Sequence, residues 1–426
     1  MLPLISLDTV ILHIDFDSFF ASCEQERNPE FRRKPLGVTA TNGRNCIIAS
    51  SREAKKLGVR TGTRRHDAYL LSPDIILVPA NFVHYFEVSK KFLNICKDYS
   101  PYVELFSIDE LFMDVTKTAH LFGGVQSLIE RIKKRIHDEI GEYITASVGI
   151  SHNKLLAKLA SGLKKPNGVF QITPSDIEQV YASAKLTDMC GIGERVKIRL
   201  NSIGVYTLLQ LRDIPLEFLI AEFGSVEGRF LKNIGLASDD SQIISCTDAP
   251  AVKSVGRNYC LPKNEYDQRI ILQNVYELSE EVGIKLRRLT KKARTVGLSL
   301  RGTRGEHGRK TIDTPLSSGR DIFSVCKYLY DSWHWNNAYF PENAMVRQIS
   351  VWTGNLVEDA GTPLSIFENR IRDDAIQKTI DSINEKYGDH TIRNGFLLYA
   401  DKLTTVPNGY MADTYERTKL AEELKL

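Results

Sequence analysis

Acidic residues at the ends of apolar runs are the first feature of this 426-residue chain that could do chemistry. VILHIDF (10–16) is a continuous apolar run that ends in acid and is followed at once by Asp17. Side chains alternate along a strand, so Asp15 and Asp17 are expected on one side. The second acidic cluster is the SIDE tetrapeptide (107–110) in the middle of YVELFSIDELFMDVT (102–116). Asp109 and Glu110 are neighbours and would point to opposite faces of a straight strand. They converge only where the chain turns, as at the tip of a tight hairpin. A carboxylate removed from water must be paired or bind a metal. Hard divalent cations take oxygen ligands, commonly one or two carboxylates together with substrate phosphates. Two such ions about 3.5–4 Å apart can clamp the attacking and leaving oxygens of a phosphoryl transfer. Turn formation or helix capping is the alternative for each cluster alone. Two clusters on strand-like segments favour the metal reading.

Periodicity indicates the elements that must position these acids. VILHIDF has the character of a buried central strand. A helix is expected from Ser18 to Glu26, two short strands at LGVTA and NCIIAS joined through TNGRN, and a short helix at REAKKLG stopped by Gly58. A further helix runs from near His84 to about Asp98. Leu128, Ile132 and Ile136, four apart, predict an amphipathic helix over 124–141. TASVGISHN then reads as a strand, and NKLLAKLASGLKKPNG as a helix closed by a Pro-Asn-Gly turn. Strands alternating with helices to about residue 173 indicate an α/β or α+β domain. Residues 174–243 change to short helices punctuated by GIG (191–193), IGV (203–205) and Pro215, and the polar stretch 238–252 reads as a linker. Beyond it RNYCLP, TVGLSLRG and VRQISVW read as strands, separated by helices at 269–290 and 321–333.

Composition narrows the function classes. Hydrophobic residues make up 42% and charged residues 26%, which excludes large-scale disorder, collagen-like repeats and low complexity. No apolar run approaches the ~18 residues that cross a bilayer, so no membrane partner is expected. MLPLISLDTVILHIDF lacks the basic leader of a signal peptide. Seven cysteines stand singly at 23, 46, 96, 190, 246, 260 and 326, a pattern of reduced cytosolic thiols rather than a disulfide framework or zinc site. Net charge is only +3, yet residues 251–320 hold 15 Lys and Arg against 7 Asp and Glu. That asymmetry points to a polyanionic partner, with a solvated basic face as the alternative.

DFDSFFAS (15–22), SIDELFMDVT (107–116), VGISHNKLLAKLAS (148–161) and KKPNG (164–168), in this order, resemble the signature set of Y-family (translesion) DNA polymerases. The resemblance covers about residues 8–355. REAKKLGV and TGTRR lean toward the UmuC-like bacterial branch rather than the polymerase-IV (DinB-like) branch. It implies an α+β multidomain fold: a ferredoxin-like palm (1–18 and 84–173), small fingers (19–83), a helical thumb with a helix–hairpin–helix (174–243) and an α+β little finger (251–355). The implied activity is low-fidelity, template-directed addition of dNTPs to a primer 3′-hydroxyl, in translesion synthesis, DNA repair and the SOS response. No further acidic cluster suggests a proofreading exonuclease.

By that resemblance Asp15, Asp109 and Glu110 hold two Mg²⁺ ions, the Phe16 carbonyl completes one shell, and Asp17 supports them. Phe20 falls at the steric-gate position that excludes a ribose 2′-hydroxyl, with Phe19 beside it in the nucleotide pocket as its packed partner. Ser51, Arg52, Lys55 and Lys165 are assigned to the nucleotide phosphates. The polymerase-IV pattern has Tyr and Arg where Arg52 and Lys55 stand, so phosphate contacts there depart from it. MCGIGERVKIRLNSIGV (189–205) resembles a helix–hairpin–helix, with Gly191 and Gly193 exposing backbone N–H groups to DNA phosphate. Lys253, Arg257, Arg301 and Arg304 flank strand-like runs and are the candidate phosphate contacts of the basic module.

The tail (359–426) lies beyond the polymerase resemblance. In it TPLSIFENR (362–370) looks like a clamp-binding peptide, with Leu364, Ile366 and Phe367 filling a groove on a sliding clamp. A following helix has Ile376, Ile380, Ile383 and Tyr387 as an apolar seam. The implied protein is a cytoplasmic, nucleoid-associated monomer working on primer–template DNA and dNTP with a sliding clamp. The alternatives are a catalytically silent DNA- and clamp-binding scaffold of the same fold, or another palm-type enzyme such as a nucleotidyl cyclase.

Overall fold

The computed structural model describes residues 9–40, 46–245, 251–303, 305–335, 344–359, 370–388 and 391–398. Among these, twelve strands form: β1 (Ile11–Phe16), β2 (Leu36–Thr39), β3 (Ile47–Ser50), β4 (Ile76–Pro79), β5 (Val103–Leu105), β6 (Glu110–Asp114), β7 (Ala146–Ser151), β8 (Val169–Gln171), β9 (Ser254–Glu265), β10 (Lys291–Gly302), β11 (Gly305–Leu316) and β12 (Val346–Glu358). The described residues fall into two compact units, the first of residues 9–39 and 46–245, the second of those from 251 onward together with Ala40.

The first unit is built on a five-stranded sheet ordered β5-β6-β1-β7-β8. β1 is its centre, antiparallel to β6 on one side and to β7 on the other, which is why its sequence is apolar almost throughout. Alternation gives β1 two working faces. Phe16 looks toward the helix Phe82–Lys97, its ring 4.3 Å from that of Phe92. His13 looks the other way, toward Ser161 on the helix Lys154–Leu163. That second helix begins where the Asn153 side chain caps the Leu156 N–H, and it buries Leu155, Leu156, Leu159 and Ala160.

A three-stranded sheet, β3-β2-β4, packs Ile47, Ala54, Val59, Ala68 and Ile75 together. Ser51 starts its helix Arg52–Lys56 as a cap, and Gly58 follows at φ +89°. Residues 177–235 form short helices around Leu200, Leu208, Leu211, Leu219 and Leu231. The fold class is the expected α+β multidomain one.

The second unit is a four-stranded antiparallel sheet, β11-β10-β12-β9, with the helices Gln268–Arg288 and Gly319–Trp335 packed together. Its core includes Val296, Leu298 and Leu300 of β10 with Ile271, Val275 and Ile322 of the helices. The tail helix forms as Arg370–Tyr387, but not as an apolar seam. Ile376 and Tyr387 are exposed, and the helix is held instead by Asp381, which takes both nitrogens of an Arg287 fork at 2.5 and 2.7 Å. Further on, Phe396 joins the rings of Tyr276 and Phe323, and Arg393 pairs with the buried Glu277 at 2.8 Å.

The glycine that lets the site form is Gly149 on β7, directly opposite His13. A Cβ there would lie 2.0 Å from the Ala157 carbonyl oxygen and 2.3 Å from the Ser161 nitrogen, both backbone atoms of the helix Lys154–Leu163. Gly149→Ala is expected to push that helix off the sheet and destabilise the first unit by about 1–3 kcal/mol. Thermal unfolding followed by circular dichroism measures it, and an unchanged midpoint refutes the close-packing account.

Candidate active site

Asp15 is the penultimate residue of β1 and stands directly opposite Glu110, the first residue of β6. The segment between β5 and β6 is the tight hairpin expected of the SIDE sequence. Phe106 and Ser107 both donate backbone N–H to the Glu110 carbonyl at 3.1 Å. The Phe16 N–H donates to the Asp109 carbonyl at 3.0 Å, stitching the hairpin tip to the end of β1. Carboxylates from two distant segments, Asp15 on one and Asp109 with Glu110 on the other, therefore meet at one sheet end.

Each acid has a distinct set of partners. Asp15 Oδ1 accepts from Lys165 Nζ at 2.5 Å. Asp109 accepts from the Ser107 hydroxyl. Glu110 Oε2 takes Lys158 Nζ and lies 3.0 Å from His13 Nε2. Burial raises the Asp15 carboxyl above the ordinary aspartate value, against Lys165, and raises Asp109 likewise, against its Ser107 bond. Burial also works upward on Glu110, but His13 and Lys158 outweigh it and hold that carboxyl at about 2. His13 itself is pushed below the usual histidine value, chiefly by burial. Donor atoms of His13, Asp15 and Glu110 lie within 4.8 Å of one another, close enough to share one cation.

Asp17 lies just past the strand and is buried. Its carboxylate accepts from the Thr145 hydroxyl at 2.7 Å, the Ser147 hydroxyl at 2.8 Å and the Asn167 N–H at 2.7 Å. These bonds tie the end of β1 to the start of β7 and to the KKPNG turn. Arg52 reaches the same place: its guanidinium meets the Thr145 hydroxyl and lies 3.7 Å from Asp17 Oδ2. Lys55 donates to the Ser18 hydroxyl at 2.7 Å. Its ammonium is held below the usual lysine value by burial first and by the charge of Lys165 second. Arg52, Lys55 and Lys165 thus converge beside the acids from two segments of chain.

Phe20, on the first turn of the helix Phe19–Arg27, stacks on Tyr85 at 4.4 Å and meets Phe82 edge-on at 5.9 Å. Phe19 stacks on Phe16 at 5.2 Å and is buried. It is a core residue, which corrects its assignment to nucleotide binding. Ser51 is corrected too: fully buried, its hydroxyl caps the Ala54 N–H and donates to the Lys34 carbonyl, so it serves the helix and not a phosphate. Phe16 is buried within the sheet, paired with Ala146.

Gly191 is exposed at φ +97°, and a Cβ there would strike the Phe230 ring at 2.4 Å; Gly193 caps the helix Glu194–Ser202. In the second unit Lys253 and Arg301 are exposed. Arg257 is not. It is buried in an ion pair with Glu281, because alternation along β9 puts it on the same face as the core residue Val255. That corrects its assignment to DNA. Arg304, Leu364, Ile366 and Phe367 lie outside the described residues.

Sequence reasoning passed over His13, Ser18, Thr145, Ser147, Lys158, Ser161 and Asn167. His13 had a signal: it stands two residues before Asp15 and so shares its face. Lys158 and Ser161, three apart on one helix, share a face as well. The Asp17 partners come from a separate strand and loop and had none.

The impB/mucB/samB family model matches residues 14–162, and the model of that family's C-terminal domain matches residues 252–366. DNA polymerase IV of Pelotomaculum thermopropionicum is 32% identical over 386 residues, covering 90% of this chain and 94% of its own length. DNA polymerase IV of Acetivibrio thermocellus is 31% identical over 406 residues, covering 91% and 97%. Both carry the polymerase IV name, so the likeness extends to the DinB-like branch, whereas REAKKLGV and TGTRR alone point toward the UmuC-like one. A solved Y-family DNA polymerase chimera of Dbh and Dpo4 superposes with a TM-score of 0.69 at 25% identity, over 82% of this chain and 99% of that one. Likeness of this extent, in a chain whose acids meet where those sequence signatures require, places it among the Y-family DNA polymerases.

Proposed function

We propose that this chain is a template-directed DNA polymerase that extends a primer 3′-hydroxyl with dNTPs and copies damaged template in DNA repair. The single observation that supports it most is the meeting of Asp15, Asp109 and Glu110 beside the cations Arg52, Lys55 and Lys165. Acids alone are a cation site and cations alone an anion site. Side by side they suit a metal–triphosphate.

In the reaction the primer 3′-oxygen forms a bond to the α-phosphorus, the bond from that phosphorus to its bridging oxygen breaks, and pyrophosphate leaves. Asp15, Asp109 and Glu110 fit a divalent metal: they are hard oxygen donors, two of them are raised by burial, and donor atoms of Asp15 and Glu110 lie, together with one of His13, within 4.8 Å of one another. Asp15, Asp109 and Glu110 would hold divalent ions there, two Mg²⁺ by the family pattern, which would supply charge stabilisation to the attack and to the departing pyrophosphate. Lys165 and Lys55 bind the phosphates, and relief of their mutual repulsion favours the anion. Asp17 holds the KKPNG turn against β7, which keeps Lys165 in reach. Phe20, locked by Tyr85 and Phe82, serves as the sugar gate.

By the same reading residues 1–18 and 84–173 are the palm, 19–83 the fingers, 174–243 the thumb and 251–355 the little finger. Gly191 and Gly193 on the thumb and Lys253 and Arg301 on the little finger hold DNA by its phosphates, without reading sequence. The TPLSIFENR peptide supports a sliding clamp as partner, on sequence alone. No helix among the described residues is long and apolar enough to cross a membrane. A DNA substrate supports a cytoplasmic, nucleoid-associated protein, which we read as a monomer.

Primer extension by Asp109→Ala is expected to fall by at least about 10³-fold, since catalysis here is almost entirely positioning and charge stabilisation. Equal extension by both proteins would end the enzymatic reading. Phe20→Ala is expected to raise insertion of ribonucleotides relative to deoxyribonucleotides by at least about 10–100-fold, since losing the whole ring removes more contact than the single methylene that already discriminates on that scale. Single-nucleotide insertion kinetics measure it, and an unchanged ratio removes Phe20 as the gate. On duplex DNA, Arg301→Ala is expected to reduce the slope of log affinity against log salt by about one. Arg257→Ala is expected instead to lower the melting temperature, because it strands Glu281 as an unpaired buried acid. Salt-dependent binding titrations and thermal melts separate the two, and a salt-slope effect at Arg257 would reverse the assignment.

A further inference from the structure

His13 is fully buried, polar, and unused by the reaction as described. Its ring is fixed on three sides. Nδ1 lies 2.7 Å from the Ser161 hydroxyl, the ring face tilts against Phe112 at 4.6 Å, and Nε2 faces Glu110 Oε2 at 3.0 Å. Ser161 is itself tied to the Lys158 carbonyl at 2.8 Å, and the Lys158 ammonium reaches the same Glu110 oxygen. A closed ring of contacts results: His13 to Ser161, Ser161 to Lys158, Lys158 to Glu110, Glu110 to His13. The helix can stand this close to β1 because Gly149, opposite His13, has no Cβ.

Lys158 bonds Oε2 of Glu110, and His13 Nε2 faces the same oxygen at 3.0 Å as a close polar contact outside hydrogen-bond alignment. They seat one oxygen of the carboxylate in the protein and so set the direction in which Oε1 projects. We propose that His13 is a positioning residue for the reaction: with Ser161 and Lys158 it fixes the Glu110 carboxylate so that its second oxygen is presented to a divalent ion before substrate arrives. The inference rests on the phosphoryl-transfer reading of the site. Outer partners that orient a metal ligand are worth about 10–100-fold in metal affinity or activity, and a carboxylate free to rotate loses that advantage to entropy. The competing account is that His13 only fills space against Phe112.

The test uses the full chain and compares the wild type with His13→Ala and His13→Gln. Mn²⁺ binding to the free protein is followed by electron paramagnetic resonance, single-nucleotide insertion is measured with Mg²⁺ varied, and melting temperature is recorded for each. His13→Ala is expected to weaken Mn²⁺ binding and lower kcat by about 10–100-fold. Its half-saturating Mg²⁺ rises, while KM for dNTP and primer–template affinity stay within about twofold of wild type. His13→Gln, whose amide reaches toward the same oxygen, recovers part of the loss at a similar melting temperature. Wild-type Mn²⁺ affinity and kcat in His13→Ala would overturn the proposal. So would a lost kcat that follows a lowered melting temperature with Mn²⁺ affinity unchanged. A wild type that fails to extend primers, yet binds Mn²⁺ more tightly than His13→Ala, would reject the polymerase reading and keep the positioning role.

Discussion

In the first unit two carboxylates stand directly opposite each other across an antiparallel pair, Asp15 on β1 and Glu110 on β6, with Asp109 stitched beside them through the Phe16 N–H. Like charges in that position are destabilising, and burial makes it worse, as the raised Asp15 and Asp109 carboxyls record. A sheet end of this kind persists only with cations brought to it. The chain supplies them from one continuous stretch. Lys158 comes from the helix packed on β1, and Lys165 from the turn that ends it. The missing Cβ at Gly149, the Asn153 cap and the Asp17 bonds to Thr145, Ser147 and Asn167 all hold that stretch against the acids.

Much of this was legible because two signals coincide. An apolar run ending in acid identifies both β1 and the β5–β6 hairpin, and leucine spacing identifies the helix that delivers Lys158. Elements without a side-chain period stayed hidden. β11 (GEHGRKTIDTPL) is an edge strand that no face of the sheet buries well, so it is held by backbone pairing to β10 rather than by alternating apolar residues. β4 and β8, four and three residues long, are too short for a period to register.

The misassigned residues have a common cause. Arg257, Ser51 and Phe19 are each of the right type in the right neighbourhood, but type says nothing about which way a side chain faces. Arg257 shares the face of Val255, and its partner Glu281 lies on a helix whose docking no local pattern reveals. Ser51 opens a helix, where a hydroxyl is needed to cap a free N–H, and that need claims it before a ligand can. In the tail the isoleucine spacing suggests an apolar seam, whereas the helix docks through the Asp381–Arg287 fork. A bidentate charge pair is a stronger and more directional contact than marginal apolar spacing on a largely polar helix.

The charges of the site also constrain how it can be filled. Four carboxylates (Asp15, Asp17, Asp109, Glu110) face four cations (Arg52, Lys55, Lys158, Lys165), linked by the pairs Lys165–Asp15 and Lys158–Glu110 and by the approach of Arg52 to Asp17. A metal ion arriving alone would compete with Lys165 for Asp15 and leave that ammonium without its partner. A triphosphate arriving alone would draw Lys55 and Lys165 away and leave buried acids exposed to one another. Each change costs a desolvated charge its partner, the expensive outcome in a low-dielectric pocket. When cation and anion enter together, Lys165 would exchange Asp15 for a phosphate and Asp15 would gain the metal, while Lys158 keeps Glu110 Oε2. The internal ion pairs thus disfavour either ligand on its own, and the charge balance favours a metal–triphosphate entering as one.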